Sequence, residues 1–276
     1  MSGNIVANEL CNKLCAPTTE LSKTPMISVI MTSYNTERWV EAAVSSVLQQ
    51  TWGNLELLAI DDQSTDGTLE KLQQLQSTDP RVRVLLMKRN GGTYAARNVA
   101  MELAMGEVIT FMDSDDQSQC SRLELQLAAL RSPGTVASTC NYERRDEDGR
   151  LVMNRGLAAR QALISLMFKR KVIEEIGWFD SVRVGADDEY FERLRTAYGR
   201  AAHRNVDQTL YSALWRAGSL ANNSVDGTHI ASGVGDFLSP ARQRYKDAFS
   251  TWHHALQARG EVPYVPPRNQ ARPFRY

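Results

Sequence analysis

Three short polar clusters carry the residue types from which a phosphate- and metal-handling site can be built: Thr32-Ser33-Tyr34-Asn35, Asp61-Asp62 and Asp113-Ser114-Asp115-Asp116. Two carboxylates one residue apart, as in Asp113-Ser114-Asp115, can share a hard divalent cation that also grips phosphate oxygens and keeps positions for water. The same residues also serve routinely as an acidic turn or a helix N-cap. Asp61-Asp62 carries a similar pair of readings: solvated caps for a following helix, or an acceptor for a nucleobase N–H. Tyr34 could stack on such a base or be an aromatic at the edge of a core. Their company favours the chemical readings, because each cluster follows a short apolar run without a gap.

Those runs must position them. Met26–Met31, Leu55–Ile60, Val82–Leu86 and Glu107–Met112 are strand-like. Between and after them, helical spacing appears over Glu37–Gln50, from Leu69 through Leu75, over Thr93–Met105 and over Leu123–Leu130. Strands alternating with helices predict an α/β fold, a Rossmann-like and mostly parallel sheet flanked by helices. Ligands in such sheets bind at the carboxyl ends of the strands, near a switch in strand order. After Thr139 the pattern changes. Asn141–Asn154 predicts a hairpin about Asp148-Gly149. Lys169–Ile176 and Asp187–Tyr198 predict helices, Leu210–Leu214 a strand and Pro240–Gln257 a terminal helix. No element is assigned between Asn154 and Lys169. The chain thus divides into a polar leader (1–24), a ligand-binding half (25–140), a second half (141–235), and a terminal helix with a Pro- and Arg-containing tail (236–276).

With 276 residues the chain can bury a large core. Its 32 basic and 32 acidic residues balance to zero formal charge, which speaks against a dedicated nucleic-acid binder. Cys11, Cys15, Cys120 and Cys140 fall at no zinc-ligand spacing and fit a reducing compartment better than a disulfide scaffold. No apolar run approaches the ~20 residues of a membrane span. Met1–Thr24 lacks the apolar stretch of a secretory signal. A cytoplasmic location is expected, with contact to a membrane face or a synthesis complex through the C-terminal region kept open. A solvated helix and packing arm is the plainer reading of that region. Dinucleotide and P-loop sites are disfavoured, because no GxGxxG or GxxxxGK[ST] is present and Gly233-Val234-Gly235 lacks the third glycine.

Taken in order, ISVIMTSYN (27–35), the helix ending VSSVLQQTW, LELLAIDDQSTDGT, NGGTYAARNVA and GEVITFMDSDD resemble the nucleotide-binding half of the family 2 glycosyltransferases, which have the GT-A fold. The likeness runs from Met26 to Asp116 and resumes at Gly177–Asp180 and Gly185–Leu194. It implies that Thr32 and Tyr34 line a base pocket and that Asp62 hydrogen-bonds the base, commonly uracil. It places Arg97 near the donor, Asp113 and Ser114 at the nucleotide, and Asp115 on Mn²⁺ or Mg²⁺ bridging the diphosphate. A salt-bridged structural role is the other reading of Arg97. The family's base lies in a Glu-Asp pair opening a helix; here Ala186 stands in place of the Glu and Asp187 takes the base position, with Asp188 as the alternative. A helix N-terminus decorated with acids is the plain reading of the same residues. Near Leu214–Leu220 many relatives carry a histidine, where this chain has Ala217; Arg216 and Ser219 could contact the diphosphate there. Trp178, Tyr211 and Trp215 are candidate sugar platforms or core aromatics.

The implied reaction is inverting transfer of a sugar from a nucleoside-diphosphate donor, with UDP expected, to a hydroxyl of a glycan or lipid-linked acceptor. An aspartate is ionised at neutral pH and can act as the base without special tuning. The competing reading is a glycosyltransferase-like module that binds sugar or a partner without turnover, motivated by the absent Glu and His. A sugar-phosphate nucleotidyltransferase is disfavoured, since its Gly-rich, arginine-bearing first loop is absent.

Overall fold

The computed structural model describes residues 21–153, 156–216, 229–231, 234–237, 239–267 and 273–274. Most of the leader, and Ala217 with Ser219, lie outside them. Four parallel strands come first in the chain: β1 (Ile27–Ser33), β2 (Leu55–Asp61), β3 (Val82–Leu86) and β4 (Val108–Asp113). Helices α1 (Val40–Leu48), α2 (Thr68–Thr78) and α3 (Thr93–Leu103) form the crossovers. Every residue of β1 and β2 is buried, as expected of strands covered on both faces. Alternate side chains serve opposite layers. Ile27, Val29 and Met31 pack with Val44 of α1, Leu72 of α2 and Leu127 of α4 (Arg122–Leu130). Ile30, Leu58 and Ile109 pack with Ala96 and Ala100 of α3 on the other face.

The sheet order is β3-β2-β1-β4-β8-β6-β9-β5, so the order turns back between β1 and β4. Here β5 is Gln117–Ser118, β6 Ala137–Asp146, β8 Ala159–Lys169 and β9 His203–Trp215. The short β7 (Leu151–Val152) pairs with β6 across the turn at Asp146–Arg150 and forms the expected hairpin. The largest addition to the sequence reading is β8, which lies antiparallel to both β4 and β6 and joins the two halves into one mixed sheet. The first half is parallel as expected. The second is mixed: β8 runs antiparallel between β4 and β6, whereas β6 and β9 pair in parallel. The strand expected at Leu210–Leu214 is the end of the much longer β9.

Helices α5 (Lys171–Ile176), α6 (Ala186–Tyr198) and α7 (Pro240–Ala258) cover the face that α3 begins. Tyr245, Phe249, His253 and Leu256, at helical spacing, are the buried stripe of α7. Ser239 caps its first turn and Pro240 occupies N1. A buried ion pair, Glu189–Arg193 on α6, takes His253 of α7 as a third member, with Glu189 Oε1 3.0 Å from His253 Nε2. Described parts of the tail lie against this face: Val265 bridges Gly177, whose φ of +81° and lack of a Cβ allow the contact, since a Cβ would lie 2.0 Å from the Val265 carbonyl oxygen. Phe274 stacks on Trp252 at 5.0 Å. These parts of the tail pack on the protein, as the packing-arm reading expects. A short β10–β11 pair (His229–Ala231 and Val234–Phe237) completes the described strands. Among the described residues no helix is long and apolar enough to cross a membrane.

Candidate functional site

The register levels the three strand ends. Ser33 pairs with Asp61 across β1–β2, and Thr32 with Asp113 across β1–β4. Beyond the ladder, Asn35 (φ 52°) and Gln63 (φ 67°) turn left-handed, a conformation that asparagine tolerates better than most residues. The two loops are then stitched together. The Asn35 amide donates to Ser64 Oγ at 3.0 Å, and Asn35 Oδ1 accepts the Thr65 amide at 2.8 Å. Tyr34 is thereby held at the cleft mouth, 49% exposed.

Asp62 is almost fully buried, and its two carboxylate oxygens accept the backbone N–H groups of Gly91 and Gly92 at 2.8 and 2.7 Å. Gly92, at φ +83°, is the residue on which α3 starts. A carboxylate at that helix end meets free N–H groups and the positive end of the dipole. Sequence reasoning assigns Asp62 to a base and misses this second task, for which the paired glycines 29 and 30 residues downstream were the available signal.

Asp113 and Asp115 differ in their surroundings. Asp113 accepts from the Arg97 guanidinium at 3.0 Å. Arg97 itself is buried, with Phe111 at 5.0 Å and Tyr94 at 5.5 Å from its guanidinium carbon. Burial pushes the Asp113 carboxyl up to about 6; Arg97 opposes this, and Asp115 and Asp187 add to it. The salt-bridged reading of Arg97 is therefore present in the geometry, within the cleft. Asp115 accepts from Arg216 Nε at 2.8 Å, and the Arg216 guanidinium lies over Trp39 at 4.5 Å.

Asp116 is a bracket. It accepts the Tyr211 hydroxyl at 2.7 Å and the Leu214 amide at 2.8 Å. Tyr211 is 1% exposed, so it is no sugar platform; its hydroxyl ties β9 to the Asp113 backbone as well, at 3.1 Å. Ser114 is buried and shares a 2.9 Å hydrogen bond with Thr36. Trp178 is partly buried against the core, and Trp215 lies beside the Arg144 guanidinium at 5.0 Å.

Across the cleft, Gly185 in left-handed conformation opens α6 and sets Asp187 in its first turn. Asp187 Oδ1 accepts the Tyr94 hydroxyl at 2.6 Å. Ala186 is fully buried among core residues, so position 186 offers the cleft no side chain. Asp188 lines the same cleft, and its carboxyl is pushed up to about 7 by desolvation and by Asp187, against Arg242 and Lys246. Eight of the residues singled out from the sequence, Thr32, Tyr34, Asp62, Arg97, Asp113, Ser114, Asp115 and Asp187, line one cleft of about 830 Å³.

Among the described residues no group of three or more His, Cys, Asp or Glu side chains could hold a cation unaided. The donor set offered is the carboxylates of Asp113 and Asp115. That set suits Mg²⁺ or Mn²⁺, which commonly take one or two carboxylates and complete their shell with water and substrate phosphates.

A model of the family described as Glycosyl transferase family 2 matches residues 28–191, more than half of the chain and the whole span from β1 into α6. The chain belongs to this family. Among curated relatives it is 39% identical over 125 residues to TuaG of Bacillus subtilis (strain 168), a glycosyltransferase named for teichuronic acid biosynthesis, covering 45% of this chain and 50% of TuaG. It is 40% identical over 118 residues to the UDP-Glc:alpha-D-GlcNAc-diphosphoundecaprenol beta-1,3-glucosyltransferase WfgD of Escherichia coli, covering 43% of this chain and 46% of WfgD. The chain thus spans about half the length of these relatives. Among solved structures, residues 1–349 of TarS from S. aureus in complex with UDP superpose with a TM-score of 0.57 at 22% identity, covering 69% of this chain and 60% of that one. The mannosyltransferase PcManGT from Pyrobaculum calidifontis, in complex with GDP-Man and Mn²⁺, gives 0.55 at 20% identity, covering 79% and 66%. The family 2 chain has the GT-A fold that its sequence implied.

Proposed function

We propose that this family 2 chain is an inverting glycosyltransferase that moves a sugar from a nucleoside-diphosphate donor, UDP in our reading, to a hydroxyl of a glycan or lipid-linked acceptor. The observation that carries the proposal is the division of one cleft. Asp62, Asp113 and Asp115 stand at the ends of parallel strands on one wall, and Asp187 stands at a helix N-terminus on the other.

In this reading Tyr34 and Asp62 hold the base, with Thr32 beside them. Asp115, with Asp113 next to it, would hold Mn²⁺ or Mg²⁺, which when bound offsets charge on the leaving diphosphate. Arg97 neutralises Asp113 and keeps it oriented. Arg216, now on Asp115, is placed to meet phosphate charge when donor enters. Asp187 takes the proton of the acceptor hydroxyl as its oxygen bonds to the anomeric carbon. The bond from that carbon to the diphosphate oxygen breaks on the opposite face, which inverts the centre. The WfgD and TuaG likenesses support a bacterial surface-glycan acceptor, and the UDP-bound neighbour supports the uridine nucleotide.

A second reading, a sugar-binding module without turnover, draws on the buried Ala186 and on the Asp115–Arg216 pair. A thermal-shift panel of nucleotides and nucleotide sugars, with and without Mn²⁺, tests the proposal. Ligand at a hundredfold excess over Kd stabilises by about 2.7 kcal/mol. Uridine diphosphates should raise Tm in the presence of Mn²⁺, and Asp115→Ala should abolish the metal-dependent part. Absence of any nucleotide shift would overturn the donor site. Mn²⁺-dependent hydrolysis of the stabilising nucleotide sugar would exclude the module.

A further inference from the structure

The phenol of Tyr94 lies where the two walls of the cleft meet. Tyr94 is the second residue of α3, is 7% exposed, and has its ring 5.6 Å from that of Phe179 and 5.5 Å from the Arg97 guanidinium carbon. Packed on both sides, the ring has little rotational freedom. Its hydroxyl donates to Asp187 Oδ1 at 2.6 Å, a short, charge-assisted bond.

The direction of that bond is fixed. Burial, and then the charge of Asp187, push the Tyr94 phenol far above its ordinary range, so it stays protonated at any working pH. The phenol therefore acts as donor to Asp187 Oδ1 and ties that carboxylate to α3.

We propose that Tyr94 is the positioning residue for Asp187, fixing that carboxylate to the helix whose start is held by Asp62. The inference rests on the reading of Asp187 as base. The helix between them is anchored twice more. Asn98 Nδ2 donates to the Phe179 carbonyl at 2.8 Å, and Asn98 Oδ1 accepts the Phe179 amide at 3.0 Å. One connected path therefore runs from Asp62 through the Gly91 and Gly92 amides into α3, then from Tyr94 to Asp187. A donor that orders the Asp62 loop orders the base through the same helix.

Misplacement of a reacting group by ~1 Å can cost 10²-fold in rate, which gives such an anchor its value.

Tyr94→Phe keeps the ring and removes the donor. With saturating donor and Mn²⁺, kcat should fall about tenfold or more while the donor KM changes by less than about twofold. Carbon-13 NMR of aspartate-labelled protein at one fixed pH, with the Asp187 carboxyl signal assigned through Asp187→Asn, should show that signal displaced in Tyr94→Phe. Replacing tyrosine by 3-fluorotyrosine, which alters the donor and keeps the ring, should displace the same signal, and this arm serves if the phenylalanine variant fails to fold. An unmoved signal in either arm overturns the proposal, as does an unchanged kcat in a folded Tyr94→Phe. Retention of transfer by Asp187→Asn would instead strike the base reading, and the NMR arms would still report the contact.

Discussion

Along one wall of the cleft, the donor side in our proposal, Asp62, Asp113 and Asp115 sit at or just past the ends of parallel strands whose register levels them, whereas the opposite wall, the proposed acceptor side, offers Asp187 from the first turn of a helix. The strand-end carboxylates each have a partner: backbone amides for Asp62, Arg97 for Asp113 and Arg216 for Asp115. Asp187, among the described residues, accepts from the neutral phenol of Tyr94. In the proposed reading, arginines and amides neutralise charge on residues that meet a nucleoside diphosphate with its cation, and a neutral donor fixes the direction of a group that takes a proton.

The largest test of this contrast is Asp187→Asn. General-base contributions run from about 10² to 10⁴ in rate, so transfer should fall within that range while Mn²⁺-dependent nucleotide binding by thermal shift is unchanged. Near-normal transfer would erase the distinction between the walls.

Next is the support beneath Asp187. Glu189 and Arg193 are both fully buried, and removing one partner of such a pair costs about 3–5 kcal/mol. Glu189→Ala should lose that much in denaturant unfolding, and should lower transfer by loosening α6 against α7. Loss of activity at full stability would point to a direct role for Glu189.

The smallest expected effect sharpens the donor wall. Hydrogen bonds to charged groups contribute about 1.5–3 kcal/mol, and Asp62→Ala leaves two backbone N–H groups without theirs. A loss of about that size, together with weakened nucleotide binding, is expected from unfolding and thermal-shift curves. Weakened binding at full stability would show that Asp62 serves the base and leaves the Gly91-Gly92 loop indifferent.

How far the sequence could be read follows from the period of each segment. β1, β2, β3 and β4 are short apolar runs bounded by turn residues, and the crossover helices between them repeat at helical spacing, so the parallel half was legible almost to the residue. β8 was not. Ala159–Lys169 begins with polar residues and continues with Leu163, Ile164, Leu166, Met167 and Phe168, a run that a strand buried on both faces shares with a buried helix. β9 was half seen, because His203–Asp207 is largely exposed and shows no alternation.

The order of residues by itself determined which carboxylates stand at strand ends, since each follows its apolar run directly and the chain must emerge there. It also determined that an acidic turn opens the helix at Ala186. Only the tertiary structure decided what those carboxylates hold. The Gly91-Gly92 amides reach Asp62, Arg216 reaches Asp115 from 101 residues away, and Tyr94 reaches Asp187 across 93 residues. Such pairings depend on strand order and on the antiparallel return of β8. Both are set by which surfaces can be buried together, and local spacing does not record that.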